Sequence, residues 1–413
     1  MTDSCATPQP ALRTTEARRL LLNAVVPVNG WESLAVRAAL GRVLYRDVIA
    51  PFDVPAHDNS AMDGYALRHA DLDADRETTL TVVGTALAGA AFSGVVGPGQ
   101  TVRIMTGAVL PRGADTVVMQ EAARAEDTKV HIATGIKPGQ HVRRAGEDLA
   151  KGKPALVAGK RLGPADLGLL ASLGYAEVTV RRRPRIAFFS TGDELASIGR
   201  PLAPGEVYDS NRYTLYGALT RLGVEILDMG VVRDDPATME AAFREAAAQA
   251  DAILTTGGVS VGEADYVKDL VARLGEVHFW KIDIKPGRPM AFGRIAQTWL
   301  FGLPGNPVAV MVTFLQIVQD ALLKLMGVDP LPPRPTFRLP SASNIKKLSG
   351  RREFPRGQLF EEDGVWKVRV AGNQGSGVLR SMSEADCFIV LPEEGGNVAV
   401  GDLVEVQPFE GLI

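Results

Sequence analysis

The chain has 413 residues, too long for one ordinary domain and enough for about two to four. Hydrophobic residues make up 46% and charged residues 23%, the balance of a globular protein with real cores. A formal net charge of −3 argues against a generic nucleic-acid binder, which would carry a basic excess. The short runs Arg181-Arg182-Arg183 and Arg143-Arg144 read more plainly as solvated faces than as a nucleic-acid site. The two cysteines, Cys5 and Cys387, form no CxxC or Cys/His cluster, which speaks against a disulfide scaffold and a thiolate zinc site and fits a reducing compartment. The N-terminus MTDSCATPQP lacks a basic-then-apolar signal pattern, and no stretch approaches the roughly 20 apolar residues of a membrane span. A cytoplasmic protein with neither nucleic-acid nor membrane partner is expected.

In chain order, LRTTEARRLLLNAV has helical periodicity, and ESLAVRAALG reads as a second helix closed by Gly41. Residues 51–146 change character: glycine and proline become frequent around short β-rich runs such as TTLTVVGTALAG, QTVRIMTGAVL and DTVVMQEAARA. Residues 147–182 return to mixed helix and turn, so 10–50 and 147–182 are expected to form one discontinuous domain with the β-rich segment inserted in it. From 183 to 330 strands alternate with helices. PRIAFFS, VEILDMG and DAILTTGG read as strands; SNRYTLYGALTRLG, with Ser210 or Asn211 as cap, DDPATMEAAFREAAAQA and DYVKDLVARLG read as helices. EVHFWKIDI and TWLFGLPG follow as strands, and NPVAVMVTFLQIVQDALLKLMG as a long apolar helix. Such alternation predicts an α/β domain with a parallel sheet and right-handed crossovers. VDPLPPRP is a stiff proline-rich spacer, after which 331–413 reads as a small all-β module.

Ligands of open parallel sheets bind beyond the carboxyl ends of the strands. Four segments fall there: Ser190 to Glu194, Val231 to Asp235, the stretch TTGGVSVGEADY, and Gly302 to Pro307. The turn Gly257-Gly258, with Ser260, Gly262 and a helix start near Asp265, offers backbone N–H groups and a favourable dipole to an anion. Gly302-Leu303-Pro304-Gly305-Asn306-Pro307 offers the same. A tight strand-to-helix connection explains one such turn equally well; two in one α/β unit favour phosphate. Neither matches the P-loop or the dinucleotide fingerprint. Asp193, Glu194, Asp234, Asp235, Glu263 and Asp265 also lie at these strand ends. Carboxylates beside a phosphate repel it unless a cation intervenes, and Mg²⁺ commonly bridges the two. Asp235 and Asp265 also read as helix N-caps. Lys281 and Lys285, four apart in WKIDIKPGRPM, would share a face of one strand and hold an oxyanion, or protect an exposed edge. Upstream, His57 reads as structural and Asp63-Gly64 as an ordinary turn.

Six motifs, DNSAMDGYA (58–66), AGEDL (145–149), FSTGDEL (189–195), TTGGVSVGEADY (255–266), IKPGRP (284–289) and GLPGNP (302–307), together closely resemble the molybdopterin molybdenumtransferase family, the bacterial MoeA enzymes related to the gephyrin C-terminal domain. The resemblance implies a multidomain α/β protein: a three-layer α/β/α molybdopterin-binding domain (183–330), an inserted β-rich domain (51–146), a small mixed α/β domain (10–50 and 147–182) and a C-terminal β-barrel-like domain (331–413). It implies a transferase that takes adenylylated molybdopterin and molybdate, needs Mg²⁺, and yields molybdenum cofactor and AMP. It further implies a homodimer and a molybdopterin adenylyltransferase as hand-over partner. Carried over by motif, Asp63, Asp148, Glu194, Asp234 and Asp265 are functional carboxylates, Asp63 arriving from the partner subunit. Glu194, Asp234 and Asp265 would hold the metal. Lys281 and Lys285 are cleft lysines. Thr191, Gly192, Gly257, Gly258, Ser260, Gly262, Pro304, Gly305 and Asn306 would bind substrate, as would Arg356 of EFPRG and Ser376 of GSGVLRSM. Here TTGG replaces SGG and GRP replaces GKP, both with similar donors. Three rivals stand beside this reading: an adenylyltransferase or nucleotide pyrophosphatase on the same α/β unit, a scaffold, and a molybdate store without turnover.

Overall fold

The structure is a computed structural model that describes residues 11–257 and 265–409, with backbone only at 265–269 and 279. The chain forms two compact units: Met1–Tyr45, Gly159–Gly163 and Thr179–Ile413 in the first, Arg46–Ala158 and Pro164–Val178 in the second.

The first unit is organised by a six-stranded sheet. Its strands are β1 (Arg185–Thr191), β2 (Glu225–Val232), β3 (Ala252–Thr256), β4 (Gly275–Lys281), β5 (Pro289–Ile295) and β6 (Thr298–Leu303), in the order β2-β1-β3-β6-β5-β4. Neighbours from β2 through β6 run parallel, as the βαβ pattern predicts. The far edge departs from it: β6-β5 and β5-β4 are antiparallel, because β5 and β6 are joined by a hairpin at Ala296-Gln297. PMAFGRI was not expected as a strand, since its proline and glycine obscure an otherwise apolar run.

Alternate residues of the strands feed two cores, as the pleat requires. Ile186, Phe188 and Leu254 pack with helices α1 (Ser210–Leu222) and α4 (Pro307–Leu325). Ala187, Phe189 and Ile253 pack with α2 (Pro236–Gln249), and the same core includes Leu270 and Val271 of α3 (Asp265–Leu274). Helices therefore cover both faces of the sheet. The cap of α1 is Asp209, one residue before the expected Ser210 or Asn211: its carboxylate accepts from Arg212 N–H at 3.1 Å. Gly223, at φ 86°, closes the helix in the left-handed conformation. Asp235 caps α2 by accepting from the N–H groups of Ala237 and Thr238. In α4 the turn at Phe314–Val318 widens to a π-helix. By length and composition this helix could cross a membrane, which the sequence reading did not allow for. With 89% of its most apolar window buried inside the protein, it is a core helix.

ESLAVRAALG is not a helix. Trp31–Ala35 is a strand and Val36–Ala39 a single 3₁₀ turn. The run is too short to hold helical structure by propensity alone; at its end, buried Arg42 bonds Glu32 and the Arg181 carbonyl. The proline-rich segment is anchored rather than a free spacer, since Arg334 donates to Gln316 Oε1 (2.6 Å) and Asp320 (2.8 Å) of α4. The C-terminal strands β7 (Phe337–Pro340), β8 (Arg356–Glu362), β9 (Val365–Val370), β10 (Cys387–Val390) and β11 (Leu403–Pro408) form a five-stranded sheet in the order β7-β11-β10-β8-β9. Ala342 N–H donates to Val368 O at 2.7 Å, linking the chain after one edge strand to the other edge.

The second unit holds another six-stranded sheet: Thr116–Met119, Gly64–Leu67, Gln100–Ile104, Thr78–Ala86, Lys129–Ile132 and Ala123–Glu126, side by side in that order. Gly64 therefore opens an inner strand rather than sitting in a turn. A Cβ there would lie 1.9 Å from the Val118 carbonyl oxygen, so only glycine fits. Val48–Ile49 pairs with Pro154–Leu156 and closes the two ends of this segment together.

Candidate active site

The carboxyl ends of β1, β3 and β6 lie side by side. Thr256 Oγ1 donates to Ser190 Oγ at 3.0 Å, stitching β3 to β1. Gly257 follows at φ 84°, and a Cβ there would stand 2.4 Å from the Thr191 carbonyl, so the turn depends on glycine. Asn211 of α1 donates from Nδ2 to the Gly305 carbonyl at 2.7 Å and fixes the turn after β6. Val308 N–H, at the start of α4, donates to Ser376 O at 3.0 Å, which ties the C-terminal loop to the same place.

These turns open on a cleft of about 920 Å³ within the first unit. Of the residues expected to bind substrate, Gly257, Pro304, Gly305, Asn306, Arg356 and Ser376 line it, as does Lys285. Arg288, Lys346, Arg351 and Glu353 complete the charged lining. Five cationic residues and one carboxylate thus line the cleft. Lys285 Nζ lies 3.1 Å from Glu353 Oε2, and Glu353 is buried. Arg356 is 1% exposed. Its Nε donates to Ser381 Oγ (3.0 Å) and its Nη2 to the carbonyls of Asn373 (3.2 Å) and Gly375 (3.1 Å). Burial lowers the Arg356 pKa to about 10, so the guanidinium keeps its charge at neutral pH. It both charges the cleft wall and shapes the loop that carries Ser376.

Lys346, Arg351 and Glu353 were missed by sequence reasoning. Their signal is the basic run NIKKLSGRREF, which mixes cleft residues with inward-turned neighbours: Lys347 donates to the carbonyls of Leu348 and Arg351, and Arg352 pairs with Glu393.

Other expected residues lie elsewhere. Strand β4 ends at Lys281, and Ile284–Lys285 is a separate short strand paired with Arg352–Glu353, so the two lysines do not share a face of one strand. Ile282 N–H still donates to the Arg288 carbonyl (2.8 Å), one rung beyond the β4–β5 ladder, and Asp283 N–H donates to Leu12 O instead. Lys285 lines the cleft; Lys281 is not in its lining. Thr191 is buried at the end of β1, and the Gly192 backbone sits against Glu194, where an added Cβ would lie 2.6 Å from Oε2. Glu194 and Asp234 are exposed at the ends of β1 and β2, and Asp234 N–H donates to Asp193 Oδ1 at 3.3 Å. Among the described residues no basic side chain pairs with Asp193 or Glu194, and none form a group of three or more His, Cys, Asp or Glu able to hold a metal. Asp265 opens α3, with its side chain outside the described set; Gly258, Ser260, Gly262 and Glu263 lie outside the described residues altogether.

Two expected carboxylates belong to the second unit. Asp63 accepts from Thr106 N–H and Oγ1, both at 2.7 Å, and these bonds hold its carboxyl below the usual range. Asp148 is exposed and its N–H donates to Val54 O.

Three family models cover the chain: MoeA N-terminal region (domain I and II) at 12–174, probable molybdopterin binding domain at 187–324, and MoeA C-terminal region (domain IV) at 338–409. A protein of Haemophilus influenzae named molybdopterin molybdenumtransferase is 43% identical over 404 residues, spanning 97% of this chain and 100% of the relative. The chain belongs to the molybdopterin molybdenumtransferase family. A Nostoc relative of the same name is 38% identical, over 94% of this chain and 91% of its own. The crystal structure of a molybdopterin biosynthesis moeA protein from Pyrococcus horikoshii superposes with a TM-score of 0.83 at 29% identity, covering 97% of this chain and all of that one. The chain is therefore a transferase of molybdenum cofactor biosynthesis with molybdopterin as its substrate class. Matches to both the N-terminal and C-terminal MoeA regions set the stand-alone adenylyltransferase reading aside.

Proposed function

We propose that the cleft inserts molybdate into adenylylated molybdopterin with magnesium, releasing AMP and giving molybdenum cofactor. The observation that carries this is the cleft wall itself: Lys285, Arg288, Lys346, Arg351 and Arg356 against the single carboxylate Glu353, facing the turns at Gly257 and Pro304–Asn306. That surplus of cationic donors suits a ligand with several anionic groups, here the pyrophosphate of the adenylylated pterin and the molybdate oxyanion. Gly257 and Gly305 let backbone approach phosphate closely. Lys285, Arg356 and the nearby Ser376 would orient the anions, so that the dithiolene sulfurs of the substrate meet molybdate as the phosphoanhydride is cleaved.

For magnesium, the family resemblance of the motifs points to carboxylates outside this wall. Among the described residues no basic side chain pairs with Asp193 or Glu194, Asp193 accepts from Asp234 N–H, and carboxylates offer the hard oxygen donors the ion prefers. Glu194, Asp234 and Asp265 would hold it, and when bound it would polarise the phosphoanhydride. The same reading takes the protein as a cytoplasmic homodimer, with Asp63 and Asp148 serving the cleft and a molybdopterin adenylyltransferase handing over the substrate. What supports these points is the family resemblance of the motifs that carry the residues.

AMP release from adenylylated molybdopterin, measured with and without molybdate at fixed Mg²⁺, tests the proposal. Molybdate-dependent release that falls at least tenfold in Lys285→Ala is expected. Tight binding of the adenylylated pterin without molybdate-dependent release would move the assignment to storage or a scaffold.

A further inference from the structure

We infer that Glu353 is a positioning residue for the reaction: it anchors the Lys285 ammonium at the cleft wall so that the lysine's remaining donors meet the anionic substrate. The inference rests on the cleft reading proposed above and deepens it.

The two residues meet through backbone as well as charge. Ile284–Lys285 and Arg352–Glu353 form a short parallel pair in which Lys285 lies opposite Glu353. Arg352 N–H donates to Asp283 O (2.9 Å) and Phe354 N–H to Lys285 O (3.0 Å), so main chain brackets the side-chain contact on both sides. Glu353 is itself held by reciprocal backbone bonds with Leu391, both 3.0 Å, just past the end of β10. The carboxylate has thus been placed by main-chain ladders that do not depend on its charge.

The side-chain contact is asymmetric. The Glu353 side chain is 8% exposed and that of Lys285 is 53% exposed. A buried carboxylate requires a partner, and among the described residues its one side-chain partner is Lys285, although four other cations line the same cleft. A lysine is a flexible point charge with three donors. One donor is committed to Glu353, which leaves two for a ligand from a fixed position. Positioning of this kind acts on the rate step more than on binding.

The charge arithmetic makes the inference testable. Glu353→Gln keeps the shape and an acceptor but removes the one negative charge from the lining. Lys285 is exposed enough to be hydrated once unpaired, so the fold should survive. The test is kcat and KM for AMP release in wild type, Glu353→Gln, Lys285→Ala and the double variant. The expected result is a kcat about tenfold lower in Glu353→Gln at a KM that is unchanged or lower, with the double variant no worse than Lys285→Ala alone. A loss that came only from damaged packing would add to that of Lys285→Ala. If Glu353→Gln does not fold, Glu353→Asp, which draws the carboxylate back by one methylene, is read in the same way: reduced kcat at unraised KM supports the inference, and wild-type kcat overturns it. A normal Glu353→Gln, or additive losses, beside an impaired Lys285→Ala overturns the inference alone. A fully active Lys285→Ala overturns the reading of the cleft and this inference with it.

Discussion

Arg356 shows how much one side chain does in this cleft. Its buried guanidinium satisfies two loop carbonyls and the Ser381 hydroxyl, while the residue itself lines the cleft. Lysine cannot reproduce the fork. Arg356→Lys should lose about 2–4 kcal/mol of stability, from charged hydrogen bonds worth about 1.5–3 kcal/mol each with partial replacement, and should raise KM for the anionic substrate. Denaturant unfolding and steady-state kinetics check both; unchanged KM would mean that Arg356 serves the fold only. Cys387 is the opposite case. Burial pushes its thiol up to about 12, so it should resist maleimide at mildly alkaline pH in folded Cys5→Ser protein and react only on unfolding. The glycine positions were legible in the sequence because a positive φ at Gly257 excludes side chains. Glu353 was not, because the lysine that gives it a role lies 68 positions away and only the fold brings them together.

Among the elements, α2 and α4 carry separable predictions. The Thr238 side chain and the N–H groups of Thr238 and Ala237 hold the Asp235 carboxyl below its ordinary value of 3.8. A depressed folded pKa gives stability that is present above the unfolded value and lost as pH falls through the folded one. The melting-temperature gap between wild type and Asp235→Ala should therefore be widest near neutrality and close in acid; a pH-independent gap would contradict the capping account. In α4 the π segment places Gln316 between Arg334 Nη1 (2.6 Å) and Gln407 Oε1 (2.8 Å). Gln316→Leu removes both bonds and leaves the Gln407 side-chain oxygen buried without this one, at about 1–3 kcal/mol, and should lower stability measurably in urea. Element type was legible wherever an apolar period ran long, as in α4. It failed at Trp31–Ala35, a run too short for its period to decide, and at β5 and β8, whose polar and glycine positions hide a strand read only through its neighbours.

For the molecule as a whole, the alternation of strands and helices announced the sheet, and the turns at Gly257 and Pro304–Asn306 do line one cleft. The far side of that cleft was less legible, since Lys346, Arg351 and Glu353 come from a C-terminal module whose short strands carry weak periodicity. The homodimer reading predicts a mass in solution twice that of the chain by light scattering. The measurement that bears most directly on the central claim is the molybdenum content of the pterin product. Purified protein, adenylylated molybdopterin, molybdate and Mg²⁺ should yield AMP and a molybdenum-bearing pterin in equal amounts, able to activate an apo-molybdoenzyme. AMP without molybdenum in the pterin, or a pterin that stays adenylylated, would contradict the account.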